Sequence, residues 1–172
     1  MPVRAWGFES PSAHVVVLEN MVVEVQHRFD APPDEVFALL HDVERMAGLG
    51  PEHDRATWTG PATFTGTNCR PDLDLRWEVT CFVIADSPPH EFAWTVGPPD
   101  HPSATWSYRL EPDGGGTLVT QRMVHGPGTT YLRVFCTQQP DKAQRAVARR
   151  AAELEQNMTA VLRTAASLLS PS

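Results

Sequence analysis

The stretch DKAQRAVARRAAELEQNMTAVLRTAASLL, Asp141–Leu169, carries apolar side chains at Ala143, Val147, Ala151, Leu154, Met158, Val161, Leu162, Ala165, Leu168 and Leu169. Steps of three and four residues predict one continuous helical face. Arg145, Arg149, Arg150, Glu153, Gln156 and Arg163 fall mostly off that face. Asp141 with Gln144 three residues later resembles a capping box. A helix over about residues 139–169 would be about 45 Å long at ~1.5 Å per residue, enough to cross a whole sheet, so it must pack along one.

Upstream, the period changes to two. In MVVEVQHRF, Met21–Phe29, Val23, Val25, His27 and Phe29 alternate with Val22, Glu24, Gln26 and Arg28, which predicts a strand with one dry face. Asp30-Ala31-Pro32-Pro33 ends it. Asp34–Leu40 then reads as a short helix with proline and acids in its first turn, and a second helical stretch runs from about His41 to Leu49 before Gly50-Pro51. Six further strand segments follow: Asp54–Gly60, Thr63–Cys69, Leu73–Ala85, His90–Val96, Ala104–Glu111 and Thr117–His125. They are rich in Val, Thr, Trp, Phe and Tyr and are separated by Ser87-Pro88-Pro89, Gly97-Pro98-Pro99-Asp100 and Pro112-Asp113-Gly114-Gly115-Gly116.

The 172 residues carry 14 basic and 21 acidic side chains, a net charge of −7, which argues against binding to nucleic acid or to an anionic membrane surface. The three cysteines, Cys69, Cys81 and Cys136, are an odd number in a chain much larger than a disulfide-stapled scaffold, so the expected compartment is the reducing cytoplasm. Residues 1–20 read as a tail, or as a source of one extra edge strand at Val15–Leu18. The apolar run there is too short for a signal peptide or a membrane span. Residues 21–172 read as a single domain that is a monomer or a homodimer.

One strand, two short helices, six more strands and a long terminal helix make an α+β layout, with one antiparallel sheet of about seven strands around the helix. In that order, Ala31-Pro32-Pro33-Asp34-Glu35-Val36-Phe37, Asp42-Val43-Glu44-Arg45-Met46, Trp58-Thr59-Gly60, Phe64-Thr65-Gly66, Trp77 with Cys81 and Val83, Phe92-Ala93-Trp94, Trp106-Ser107-Tyr108 and Gly115-Gly116-Thr117 resemble the START-like, or SRPBCC, helix-grip superfamily, and within it the polyketide cyclase/dehydrase-like bacterial branch. The stretch between Gly60 and Phe64 is shorter than that branch leads one to expect. The resemblance implies a hydrophobic, aromatic or polycyclic small-molecule ligand held between sheet and helix. It allows a cyclase, aromatase or dehydratase, a carrier or sensor, or a chaperone-type interaction module of the same fold.

Strand parity selects the candidate ligand-binding residues. Trp77 and Cys81, then Trp94, then Trp106 and Tyr108, then Gln121 and Met123 share the faces expected to be dry, with Met158 on the helix. Aromatic walls with a few polar groups suit a flat, partly oxygenated ligand, although tryptophans on such a face equally often fill a core. Tyr108 and Gln121 must each find a partner there, and together with His125 they are the candidates for chemistry. Arg76, Arg109 and Arg122 have the opposite parity and are expected in solvent, unless a bulge turns one inward. Histidines 14, 27, 41, 53, 90, 101 and 125 lack metal-site spacing, Cys81 reads as a small buried hydrophobe, and no nucleotide-binding loop is present. Neither a metal nor another cofactor is expected.

Overall fold

The structure, a computed structural model, describes residues 18, 19 and 21–169. The strands are β1 (Val22–Phe29), β2 (His53–Gly60), β3 (Thr63–Arg70), β4 (Leu75–Ser87), β5 (Glu91–Val96), β6 (Ala104–Asp113) and β7 (Gly116–His125). They form one open antiparallel sheet in the order β1-β7-β6-β5-β4-β3-β2. The helices are α1 (Pro33–His41), α2 (Val43–Ala47), α3 (Tyr131–Gln138) and the long α4 (Ala143–Leu169). This is the α+β helix-grip architecture that the order of elements predicts.

Burial in β1 alternates as expected, with Val23, Val25 and Phe29 inside and His27 half-buried. Helix α1 opens on Pro33, with Asp34 and Glu35 beside its positive end, and buries Val36, Phe37, Leu39 and Leu40. The Asp42 side chain accepts from Arg45 N at 3.1 Å and caps α2. Helix α2 ends at Ala47 rather than Leu49 because Gly48 already closes it. Along α4 the side chains of Val147, Leu154, Met158, Leu162 and Ala165 are buried. With Phe29, Val36, Leu40 and Val119 they belong to one continuous core.

Several expectations need correction. A helix, α3, precedes the long one; its cap is Thr130 Oγ1, which accepts from Arg133 N at 3.0 Å. Pro140 then forces a 3-10 turn, Pro140–Lys142, so Asp141 lies in that turn and α4 begins at Ala143. Leu168, expected on the apolar face, is exposed near the helix end, and Ala166 is buried instead. Pro71–Leu73 form another 3-10 turn, which delays β4 to Leu75. The extra edge strand at Val15–Leu18 lies outside the described residues apart from Leu18, which is buried.

Bulges mark β2, between His53 and Arg55 and between Trp58 and Gly60, and β4, between Val83 and Ala85. Such insertions bend strands, and here they lie on the side of the sheet away from β1. The loop that links β7 to α3 is pressed against the loop before β6. A Cβ at Gly126 would collide with the Pro102 carbonyl oxygen, so this position needs glycine.

Candidate functional site

Between α4 and the β2–β7 part of the sheet lies a cavity of about 910 Å³, flanked by α1, α2 and α3. Its volume is in the range of small-molecule sites. Every candidate singled out from the sequence borders it: Trp77, Cys81, Trp94, Trp106, Tyr108, Gln121, Met123, His125 and Met158. Period-2 parity therefore selects the face of the sheet that borders the cavity. Trp77 departs from its expected dry environment: it is 43% exposed, and with Leu73, Leu75 and Tyr131 it forms the open rim.

Trp94 and Trp106 face each other across β5 and β6, stacked with ring centroids 6.4 Å apart and planes 9° from parallel. Tyr108 lies against Trp94 at 5.5 Å. Further in, Phe92 is fully buried. Tyr108 and Gln121 are direct cross-strand partners in the β6–β7 register, and each is only 5% exposed. Among the described residues neither side chain has a hydrogen-bond partner, and the Gln121 Oε1 is fully enclosed. Burial pushes the Tyr108 phenol well above its ordinary range, with no nearby cation to oppose it, so it is a neutral donor rather than a base. The Cys81 thiol is pushed up to about 12 by burial and is inert for the same reason.

His125 occupies the same face of β7, four residues from Gln121. Its Nε2 lies 3.2 Å from Thr130 Oγ1, while Nδ1 is enclosed with no hydrogen-bond partner among the described residues. Burial, and then the Arg133 guanidinium, hold the imidazole below its usual range, with the Gly126 backbone partly opposing them. Arg133 itself is tied to the carbonyls of Gly126 (2.7 Å) and Gly128 (3.2 Å), which fixes the loop leading into α3.

Arg109 and Arg122 remain outward despite the bulges, paired with Glu91 and Glu24, whereas Arg76 borders the open rim of the cavity, largely exposed and paired with Asp54. His41 is away from the cavity, stacked among Phe37, Trp58 and Phe92 with its Nε2 3.2 Å from Asp86. Among the described residues no group of three or more His, Cys, Asp or Glu could hold a metal ion, and no helix is long and apolar enough to cross a membrane.

Pattern reading missed the polar groups that reach the cavity from outside the strands' dry faces. Asn157 of α4 borders it. So does a ring of ions. Arg150 makes a bidentate pair with Glu52 (2.6 and 2.7 Å) and reaches Glu153 at 3.5 Å. Arg70 stands 3.7 Å from Glu52 and 3.8 Å from Glu153, with Asp72 bound to its outer side at 2.9 Å. No local signal joins Glu52 to a residue 98 positions later.

A comparison with curated proteins gave no match. Among solved structures, the chain is similar to a polyketide-cyclase-like protein of Corynebacterium glutamicum, with 27% identity, a TM-score of 0.57, and coverage of 81% of this chain and 88% of that one. It also resembles the di-domain ARO/CYC StfQ of the steffimycin biosynthetic pathway, at 15% identity and a TM-score of 0.65, over 91% of this chain and 53% of that one. A protein of Thermus thermophilus gives 16% identity and a TM-score of 0.59 over 86% and 95% of the two chains. The last two likenesses concern fold alone. The model of the polyketide cyclase/dehydrase and lipid transport family matches residues 21–163, nearly the whole described chain, and the protein belongs to that family.

Proposed function

We propose that residues 21–172 act as one domain that binds a hydrophobic, aromatic or polycyclic small molecule bearing at least one oxygen, held between α4 and the sheet. The observation that carries this reading is the Tyr108–Gln121 pair: two adjacent polar side chains, each only 5% exposed and without a hydrogen-bond partner among the described residues, on the wall of an aromatic cavity of about 910 Å³. An unpaired buried polar group is costly, so a guest that accepts from the Tyr108 hydroxyl and the Gln121 amide nitrogen is favoured, the Gln121 Oε1 being enclosed beyond its reach. Trp94, Trp106 and Met123 offer flat apolar surface beside the pair.

The pair can polarise a carbonyl by hydrogen bonding, which is the first requirement of cyclase- or dehydratase-type chemistry. It offers no base to remove a proton at that end. The supported activity is therefore selective binding and carbonyl polarisation, as in a polyketide cyclase-like binding protein, in the cytoplasm. The interaction-module alternative requires a filled core, and the cavity argues against it.

Native mass spectrometry of the protein purified from its host tests the proposal. The expected result is a retained small molecule of aromatic absorbance, lost or reduced in Tyr108→Phe. A protein that carries nothing, and whose tryptophan fluorescence is unaffected by any aromatic ketone or phenol added in excess, would overturn it.

A further inference from the structure

Five arginines border the cavity, Arg55, Arg70, Arg76, Arg149 and Arg150, against two acids, Glu52 and Glu153. Taken as a count, this describes a trap for organic acids. The connections say otherwise. Both oxygens of Glu52 are taken up by the guanidinium fork of Arg150. Glu153 is shared by Arg149 at 3.1 Å and Arg150 at 3.5 Å, and Arg70 is closed off by Asp72, Glu52 and Glu153. Arg76 is bound to Asp54 at 2.7 Å. Arg55 makes no ion pair among the described residues, but it is exposed and lies opposite Thr67 in the register, on the strand face away from Gly66 and Asn68. The ring of Arg70, Arg150, Glu52 and Glu153 is mostly buried, and it joins α4 to the end of β3 and to the segment before β2 at the cavity wall.

From this arrangement, which rests on the binding function proposed above, we infer that the cavity selects uncharged ligands and rejects carboxylates of the same shape. At the inner wall the hydrogen-bonding groups are the neutral Tyr108 hydroxyl and the Gln121 amide, and His125 has its Nε2 engaged by Thr130. An anion placed there would lose its hydration with no cation to meet it. At the ionic wall it would have to displace Glu52 from a two-pronged bond to reach the Arg150 guanidinium, which leaves it only the solvent-exposed Arg55 and Arg149, whose charges water screens. The substrate class is thus a neutral polycyclic ketone or phenol, and Glu52 is the residue that determines the exclusion by occupying the guanidinium an acid would otherwise use.

The test is a fluorescence titration of the full chain with three probes of one shape: 2-acetylanthracene, anthracene and anthracene-2-carboxylate, at about pH 7.5. In the wild type the ketone should bind at least about tenfold more tightly than the carboxylate. In Glu52→Gln the fork of Arg150 is released, so carboxylate affinity should rise about tenfold relative to the ketone, and that relative gain should fade at high salt. Glu153→Gln, which leaves the Glu52 pair intact, is a second variant with a smaller gain in the same direction. Thermal melts confirm that each variant is folded. Equal binding of carboxylate and ketone by the wild type, or no gain for the carboxylate in either folded variant, overturns the inference while leaving the binding function standing. Failure of all three probes to bind overturns the binding function as well.

Discussion

Helix α4 faces the same sheet on both of its flanks, yet one flank is solid and the other hollow. On the solid side Leu162 and Ala165 meet the core built by Phe29, Val36 and Val119, and these side chains are fully buried. On the hollow side α4 presents Arg150, Glu153, Asn157 and Val161 to the cavity, facing Trp94, Trp106 and the β3–β4 end of the sheet. Stability and binding thus have separate addresses on one helix. Aliphatic residues that interdigitate hold the fold, whereas aromatic residues and ion pairs that only meet at the margin hold a space open.

The heaviest loss should come from the solid flank. Leu162→Ala should destabilise the protein by about 2–5 kcal/mol in chemical denaturation, because a fully buried leucine leaves a void that cannot collapse. The matching change on the hollow flank, Trp106→Ala, borders a space that is already open, and should cost less stability while weakening binding of an aromatic ketone more. A larger loss from Trp106→Ala than from Leu162→Ala would reverse the assignment.

Tyr108→Phe separates the two roles more finely. The hydroxyl makes no hydrogen bond among the described residues, so its removal should leave the melting temperature unchanged or slightly raised, while ketone affinity falls about tenfold. A large drop in stability instead would mean that the phenol is a structural group.

The third contrast is with pH. The His125 imidazole is held below its ordinary value of 6.5, so between the two values the unfolded chain binds more protons than the folded one. Stability contributed by the neutral ring is then complete above about pH 6.5 and is lost as pH falls towards the folded value. Denaturant titrations of His125→Asn should show a flatter acid limb than the wild type over that window. An unchanged slope would place the sensitivity elsewhere. Small too in stability terms is Ala104→Phe: added bulk on the cavity wall should shift folding by less than about 1 kcal/mol yet obstruct binding.

The candidate wall was legible to the extent that it lies in strands. Tyr108 and Gln121 fall on the dry parity of their own strands, and a two-residue period transmits direction without any knowledge of neighbours. Trp77 obeys that parity but stands near the start of β4, at the open rim, so parity gave its face and not its burial. Helix α3 was missed because Tyr131, Leu132, Val134 and Phe135 crowd apolar groups into one short segment, leaving Thr130 as its clearest local sign. The ion ring had no sign at all: Arg150 reads as one more solvent-facing charge until α4 is laid beside Glu52 and Arg70.

Local pattern was enough for the order of elements, the strand faces, the amphipathic terminal helix and the resemblance that order carries, since each rests on periodicities within a few residues of chain. Packing had to supply the rest: that Trp94 and Trp106 border a space rather than fill it, that Tyr108 and Gln121 stand side by side unpaired, and that Glu52 occupies Arg150. Those outcomes depend on the distance between a helix and a bent sheet, and on which distant charges that distance brings together, neither of which a local pattern encodes.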